Sequence, residues 1–589
     1  MKSFDSKQEN SRPGFLSIWD FVLAILVIFP LITGGIWYKR PGIFIELADL
    51  GVPVLVTAFF AFVFKVGFGW PIEKSFLTSR LTHLWDFWQN ALIKRDKLYI
   101  WGAALFFGTL WSVSSFYRHW FFESNSFDLG IFTNALWNLT HGNGYVSAPK
   151  GGINLFSDHQ SPLFWLFAVF FAVLPRPETL LAIQGFGLAA GGVALFRLSR
   201  QYFKKDHWAV ALLPLLYWSY GPLRNANRFD FHPEVLMLPL FLWGVVWMHG
   251  HAWWRRLFGA LAFLAATAAK ESAGPVLAGV GFAWLIGGFA AVPAHPARRF
   301  LQKTGFILIV VGCAAFYFDV KIVPTFFGQG YQYAGLYERF GKDIISVFLS
   351  PVLKPDVFWP SIFGVARLKF LFWTLAPLGF IPLLNWRVFV AALPGYLMLF
   401  LSETDHRVNI TYHYAIEPAV GLFLALPGAV TVLENLTKTR QKWRGWVTIW
   451  IVFWALAAFG RSEVFHIRQY QPTAHMKWLR HEFITSIYQN ASIAATNALV
   501  PHLATRTWIH HLPGIHVKTP LSTSSSSALV DCVITDSALN NWFFDEAGKQ
   551  DLMRDLTRHG YEEKLSCGTL KLYSVPGRVC LIRTPQCDR

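Results

Sequence analysis

Apolar residues along this chain fall into runs long enough to cross a bilayer, separated by short segments where the charges collect. A helix spanning the hydrocarbon needs about 20 mostly apolar residues, somewhat fewer where neighbours enclose it. By that measure the pattern predicts spans near residues 16–36, 50–69, 99–117, 177–197, 208–222, 234–249, 257–270, 273–291, 304–320, 370–384, 387–402, 414–433 and 446–460, or about 13 in all. The first is long and lacks a small-residue cleavage site, which predicts a retained helix. The segment PLFWLFAVFFAVLP (162–175) is apolar but short, a length that fits a re-entrant or interfacial piece.

Charge tests that last reading. If 162–175 does not cross, the loops beginning at residues 1, 70, 198, 250, 292 and 434 share one side, and that side is the denser in Lys and Arg. The positive-inside rule then places it in the cytoplasm. A crossing segment would instead put RLSRQYFKK (197–205) outside and weaken the bias. The same parity puts loops 118–176 and 321–369 and the region 461–589 on the outer face.

Composition agrees. Of the 589 residues, 54% are hydrophobic and only 15% charged, whereas soluble domains carry roughly a quarter charged. Disorder, collagen and coiled coil each need a polar or strictly periodic chain and are excluded. The net charge of +17 sits largely on cytoplasmic loops, where it sets topology and meets anionic lipid. No nucleic-acid partner is needed to explain it. Five Cys are too sparse for a disulfide scaffold. Four of them, Cys532, Cys567, Cys580 and Cys587, lie in the outer C-terminal region, where disulfides and free thiols are both open readings. That region has strand-like runs ALVDCVITD (528–536) and KLYSV (571–575), with an amphipathic helix over 545–560 closed by Gly560. The fold class so read is an all-α polytopic membrane protein with a small C-terminal α/β extracytoplasmic domain. It divides into an N-terminal extension with a cytoplasmic linker (1–98), a transmembrane domain (99–460) and the outer domain (461–589).

In so apolar a chain the ionisable residues at the outer face carry the chemistry, because burying them is costly unless they form a site or a satisfied pair. SFDLGIFTNALWNLTHGNG (126–144) places Asp128 just beyond the third span, as a helix cap or a catalytic acid. NLFSDHQSPLF (154–164) sets Asp158 beside the tunable base His159. Adjacent helical positions diverge by about 100°, so both face one cavity only in a loop or turn. RNANRFDFHPE (224–234) packs Arg224, Arg228, Asp230, His232 and Glu234 between two spans. Pro233 favours an extended His232, from which Asp230, His232 and Glu234 would project together. Lys270 lies in an apolar run beside Glu271, positioned to hold a phosphate or to pair with an acid. ETDHRVNITYHY (403–414) adds His413 at a further outer turn. His159, His232 and His413 show no compact metal-ligand spacing such as H-E-x-x-H, so no metal site is expected and a divalent ion is the lesser reading.

The order and spacing of FDLGIFTNALWNLTHGNG, LFSDHQSPLFWLFAVFFAVLP, RFDFHPEVLMLPL, AAKES and ATNALVPHLATR (495–506) resemble a family of bacterial multipass membrane proteins placed within the GT-C glycosyltransferase superfamily. The resemblance implies a polyprenyl-phosphate-linked sugar donor, inverting transfer on the outer face of the cytoplasmic membrane, and a glycan, lipid or protein acceptor. It also implies an acid of the first outer loop as base or acceptor-orienting group, the place of Asp128, and a short membrane-associated helix, the place of 162–175. In the same resemblance, Ser272 of AAKES departs from the pattern, standing where relatives often carry an acid.

Inverting transfer needs a carboxylate to take the acceptor proton and cationic groups to face the leaving phosphate. The assignment that follows is Asp128 as base, assisted by Asp158 or His159. Arg224, Arg228 and Lys270 are the phosphate candidates, Arg being suited to bidentate contacts. His232, Glu234, Glu271 and His413 complete the substrate-binding set. The rival readings are a lipid or small-molecule transporter, whose polar residues would line a path at mid-membrane, and a non-enzymatic membrane scaffold. No internal repeat supports the first.

Overall fold

The computed structural model describes residues 36–40, 43–47, 76–291, 298–327, 331–437, 472–517, 528–539 and 546–587. The expected spans at 16–36, 50–69 and 446–460 fall almost wholly outside the described residues. Helix α1 (Phe76–Trp120) is broken at Arg95, whose backbone is not helical. The stretch 76–98, expected as a linker, is therefore helical and runs on toward the third span.

The chain continues through α2 (Ile131–Thr140), α3 (Phe164–Val173), α4 (Pro177–Tyr202), α5 (Trp208–Ser219), α6 (Gly221–Arg228), α7 (Met237–Met248), α8 (Trp253–Thr267), α9 (Ala273–Leu285) and α10 (Arg298–Tyr317). Later come α11 (Ile344–Leu353), α12 (Pro355–Ile362), α13 (Val365–Leu375), α14 (Leu393–Phe400) and α15 (Ile416–Thr437). Among the described residues five helices are long and apolar enough to cross a membrane, or six if the bent pair around α12 and α13 is one span. Several of the other expected spans are shorter apolar helices, such as α9 with 13 residues, so the count of 13 is not reproduced helix for helix. The pair expected at 370–384 and 387–402 is redrawn. Gly379 and Phe380, both at positive φ, break the chain, and the apolar helix resumes over Ile381–Phe400. Helix α3 has 10 residues, about 15 Å at 1.5 Å per residue, half of what a crossing needs.

Buried polar ends are satisfied within the bundle. On α5, Tyr217 donates to the Leu188 carbonyl and Trp218 to the Ala189 carbonyl of α4, each at 2.9 Å. Helices α9 and α10 approach backbone to backbone. A Cβ on Gly281 would stand 2.5 Å from the Gly305 carbonyl oxygen, and one on Gly305 would stand 2.5 Å from that of Gly281. Gly274 and Gly312 repeat the arrangement, with clearances of 2.7 and 2.5 Å. Small residues let two backbones touch where no hydrophobic force drives helices together. This contact fixes α9, and with it the turn just before the helix that carries Lys270 and Glu271.

The C-terminal unit is a five-stranded sheet of β1 (Ile493–Ala495), β2 (Ile509–His511), β3 (Cys532–Asp536), β4 (Glu562–Cys567) and β5 (Leu570–Ser574), ordered β4-β5-β3-β1-β2. Strand β1 runs parallel to β2 and β3, while β3–β5 and β5–β4 are antiparallel. Helix α16 (Glu546–Arg558) ends near Gly560, which takes the expected left-handed conformation. The cysteines resolve into two disulfides, Cys532–Cys580 and Cys567–Cys587. This unit sits directly on the loop after α1. Ser126 N donates to Asn497 Oδ1 at 2.9 Å, Asn497 Nδ2 to Asn125 Oδ1 at 3.0 Å, and Asn134 Nδ2 to the Arg506 carbonyl at 2.7 Å.

Candidate active site

Residues Ser126–Gly130 form one wide π-type turn, with Asp128 inside it. The caps of this turn and of α2 are Asn125 and Gly130, with no side-chain capping bond. Asp128 therefore caps neither element. Its Oδ1 lies 3.2 Å from Nε2 of His232.

His232 is held there by its own backbone. It is extended (φ −139°, ψ 119°) before Pro233, as expected. Its N–H donates to Oε1 of the buried Gln184 at 2.8 Å, and the Gln184 amide donates back to the carbonyls of Asp230 and Asn227 at 2.8 and 3.0 Å. Asp230 does not join its neighbours in the site. At φ +78°, a conformation Asp tolerates better than most, its carboxylate turns to Arg118 and accepts from Asn125 N at 2.9 Å. Asp230 thereby ties the segment to the end of α1, where the Asp128 turn begins.

Glu234 faces inward. Its Oε1 accepts from Lys270 Nζ at 2.5 Å and lies 3.0 Å from His413 Nε2. The rings of His413 and His232 stack 3.7 Å apart with 22° between their planes. Two carboxylate–imidazole pairs, Asp128–His232 and Glu234–His413, thus meet face to face, and Lys270 neutralises the inner acid. Among the described residues the Nδ1 atoms of both histidines are buried without a hydrogen-bond partner. Lys270 is therefore one half of a buried pair, the second of its two expected roles.

A second cluster adjoins through Glu271. His159 Nδ1 lies 3.1 Å from Glu271 Oε1, which also accepts from Tyr331 at 3.0 Å. The Tyr333 hydroxyl reaches Asp158 Oδ1 at 3.1 Å and His159 Nε2 at 2.9 Å, and Lys150 pairs with Asp158 at 2.9 Å. Asp158 and His159 do meet one partner, because they follow a short 3₁₀ turn (Leu155–Ser157) and not a helix. Arg224 is buried and Arg228 half-buried on α6, just before the His232 segment. Ser272 Oγ donates to Glu417 Oε1 of α15 at 3.3 Å.

Burial acts to raise the Asp128 pKa, but the facing His232 charge and hydrogen bond hold it below the ordinary carboxylate value. For His232, burial acts downward and Asp128 outweighs it, leaving the imidazole more basic than usual. Asp158 likewise sits low despite burial, under His159 and Lys150. Burial would raise Glu271, yet His159 and then Lys270 bring it down to about 2. These three carboxyls are thus held ionised at neutral pH.

The tyrosines of 331–333 and the clamp Gln184 did not stand out in the sequence. The signal available was YQY at 331–333, an aromatic repeat in the segment 321–369. Replacing Tyr333 with Phe removes the hydroxyl shared by Asp158 and His159. It is expected to cost about 1 kcal/mol, read as a small fall in the thermal midpoint; an unchanged midpoint would mean that water already replaces this bond. Among the described residues no group of three or more His, Cys, Asp or Glu is arranged to hold a metal ion.

The family model described as "Predicted membrane protein (DUF2079)" matches residues 118–566, and the chain belongs to this family. No curated protein sequence matches it. Among solved structures it is similar to ArnT from Cupriavidus metallidurans bound to undecaprenyl phosphate, at 10% identity and a TM-score of 0.43 over 82% of this chain and 98% of that one. It is also similar to the apo oligosaccharyltransferase of Archaeoglobus fulgidus, at 12% identity and a TM-score of 0.36 over 69% and 65% of the two chains. The complex of that archaeal enzyme, AglB, with an inhibitory peptide and a dolichol-phosphate gives 12% identity and a TM-score of 0.34 over 74% and 69%.

Proposed function

We propose that this centre transfers a sugar, with inversion, from a polyprenyl-phosphate donor to a glycan, lipid or protein acceptor at the outer face of a bacterial cytoplasmic membrane. The observation that carries the reading is the pair of half-buried Asp128 and buried His232, stacked on Glu234–His413. A carboxylate–imidazole couple is suited to taking a proton from an attacking hydroxyl. Its position fits a lipid-borne substrate, since Asp128 follows α1 directly and lies beneath the C-terminal unit through Ser126 and Asn497. In this account Lys270 neutralises Glu234, and Arg224 and Arg228 face the phosphate. Asp158, His159 and Glu271 form, with Tyr331 and Tyr333, the wall along which the substrate is oriented. The C-terminal unit closes the outer side of the site.

The test is turnover by detergent-purified protein on undecaprenyl-phosphate glucose, mannose, galactose and N-acetylglucosamine, with mass spectrometry of copurified lipid to find the natural donor. Formation of free undecaprenyl phosphate from one of these, with the sugar on water or an added acceptor, is the expected result. No turnover across the series, together with lipid flux in proteoliposomes, would replace this reading with transport.

A further inference from the structure

Resting on the transfer reading above, we propose that the acceptor proton is taken by Nδ1 of His232, and that Asp128 is a positioning residue acting through the far nitrogen of the same ring. Which ring nitrogen is already engaged separates the two roles. Asp128 Oδ1 lies 3.2 Å from His232 Nε2. A carboxylate in that place favours the tautomer with hydrogen on Nε2 and leaves the lone pair on Nδ1. That Nδ1 is buried and, among the described residues, unpartnered. The whole side chain is only 7% exposed. Leaving a polar nitrogen so placed without a bond costs about 1–3 kcal/mol, and a hydroxyl donating to it removes the deficit.

The second pair repeats the pose. Glu234 Oε1 faces His413 Nε2 at 3.0 Å, and His413 Nδ1 is again buried without a partner. The rings lie 3.7 Å apart, so each brings one unsatisfied nitrogen to the stacked pair. Such a pair accepts from two hydroxyls, which fits a polyhydroxylated ligand better than an anion. Stacking also has an electrostatic consequence. A charge on one imidazole opposes a charge on the other, so protonation of His232 leaves His413 neutral.

The charged groups that bear on His232 are Asp128 from the turn after α1, Glu234 on its own segment and Lys270 from the turn before α9, and the titratable ring of His413 stacks on it. The rings of Phe229 and Phe132 cover it at 5.5 and 6.4 Å. Burial opposes protonation, but Asp128 prevails and strengthens the ring as a base. In the step itself the acceptor oxygen attacks the anomeric carbon and its proton passes to His232 Nδ1. The bond from that carbon to the phosphate oxygen breaks, and its electron pair leaves on the polyprenyl phosphate. The imidazolium so formed is stabilised by the Asp128 carboxylate and later returns its proton to water.

The pH dependence of kcat/KM on undecaprenyl-phosphate sugar decides the matter, because it needs no variant. A neutral His232 is required, so the rate rises with pH through a pKa above the ordinary 6.5. If Asp128 itself took the proton, the limb would lie below the ordinary 3.8 and the profile would be flat near neutrality. If an imidazolium instead held the phosphate, the rate would fall through the same region. Either result overturns the proposal. His232→Gln keeps a donor to Asp128 but loses the base, and a loss of ~10²-fold or more in kcat is expected, with the thermal midpoint showing that the variant is folded. Asp128→Asn should move the rising limb to lower pH. A His232→Gln variant within about threefold of wild type would contradict the assignment. A wild type with no turnover on any donor would sink the transfer reading itself, whereas an active wild type with a flat neutral profile sinks only the role of His232.

Discussion

Glu234→Gln is expected to destabilise the protein by about 3–5 kcal/mol, the cost of breaking a buried ion pair from one side. Lys270 and Glu234 are 7% and 1% exposed, and their contact is 2.5 Å. An amide at position 234 leaves the ammonium beside Glu271 and Glu417 but without its nearest counter-charge, and weakens the acceptor for His413. The double variant Glu234→Gln/Lys270→Met should recover most of the loss, since removing both charges leaves neither one buried alone. Thermal unfolding of the detergent-solubilised variants measures this. Equal midpoints for wild type and Glu234→Gln would mean that water reaches Lys270 and that the centre is not dry.

The second large effect is expected far from the chemistry, at Gly305. Leucine there would drive its Cβ to 2.5 Å from the Gly281 carbonyl oxygen, a separation that van der Waals radii forbid. Backbone cannot rotate away as a side chain does, so α9 and α10 must part. The expected cost is ~3 kcal/mol or more, read as failure to accumulate monodisperse protein. The turn carrying Lys270 and Glu271 would shift with α9. Gly102 is the control: nothing lies within 4 Å of a Cβ there, so Gly102→Ala should stay within ~0.5 kcal/mol of wild type. Normal folding of Gly305→Leu would contradict the close packing of these helices.

Long apolar runs such as 177–202 and 298–326 were legible because hydropathy over 20 residues overrides local detail. The breaks were less so. The redrawn 370–402 region turns on Phe380, a bulky residue at positive φ, which no propensity argument would select. The helical linker was missed because charges near Arg95 read as a loop, although helices tolerate them outside the hydrocarbon. In the C-terminal unit, helix and strands followed their amphipathic patterns, and only tertiary contact could choose the disulfide partners.

At the site, residue types were legible and partnerships were not. His232, Glu234, Lys270 and His413 do converge, across up to 181 positions of sequence between His232 and His413. Alternation alone put Asp230 with His232 and Glu234; the left-handed backbone at Asp230 turns it to Arg118 instead. The family resemblance agrees with the match over 118–566, while the roles of individual residues are the account proposed above.

In this proposal the stacked Asp128–His232 and Glu234–His413 pairs perform the transfer. The most direct measurement compares wild type and Asp128→Asn, matched for thermal midpoint, in single-turnover sugar transfer from undecaprenyl-phosphate donors. An amide presents a donor to His232 Nε2 and reverses the tautomer, so the account predicts a loss of ~10³–10⁴-fold with donor binding retained. Equal rates in the two proteins would contradict it and place the chemistry elsewhere in the molecule.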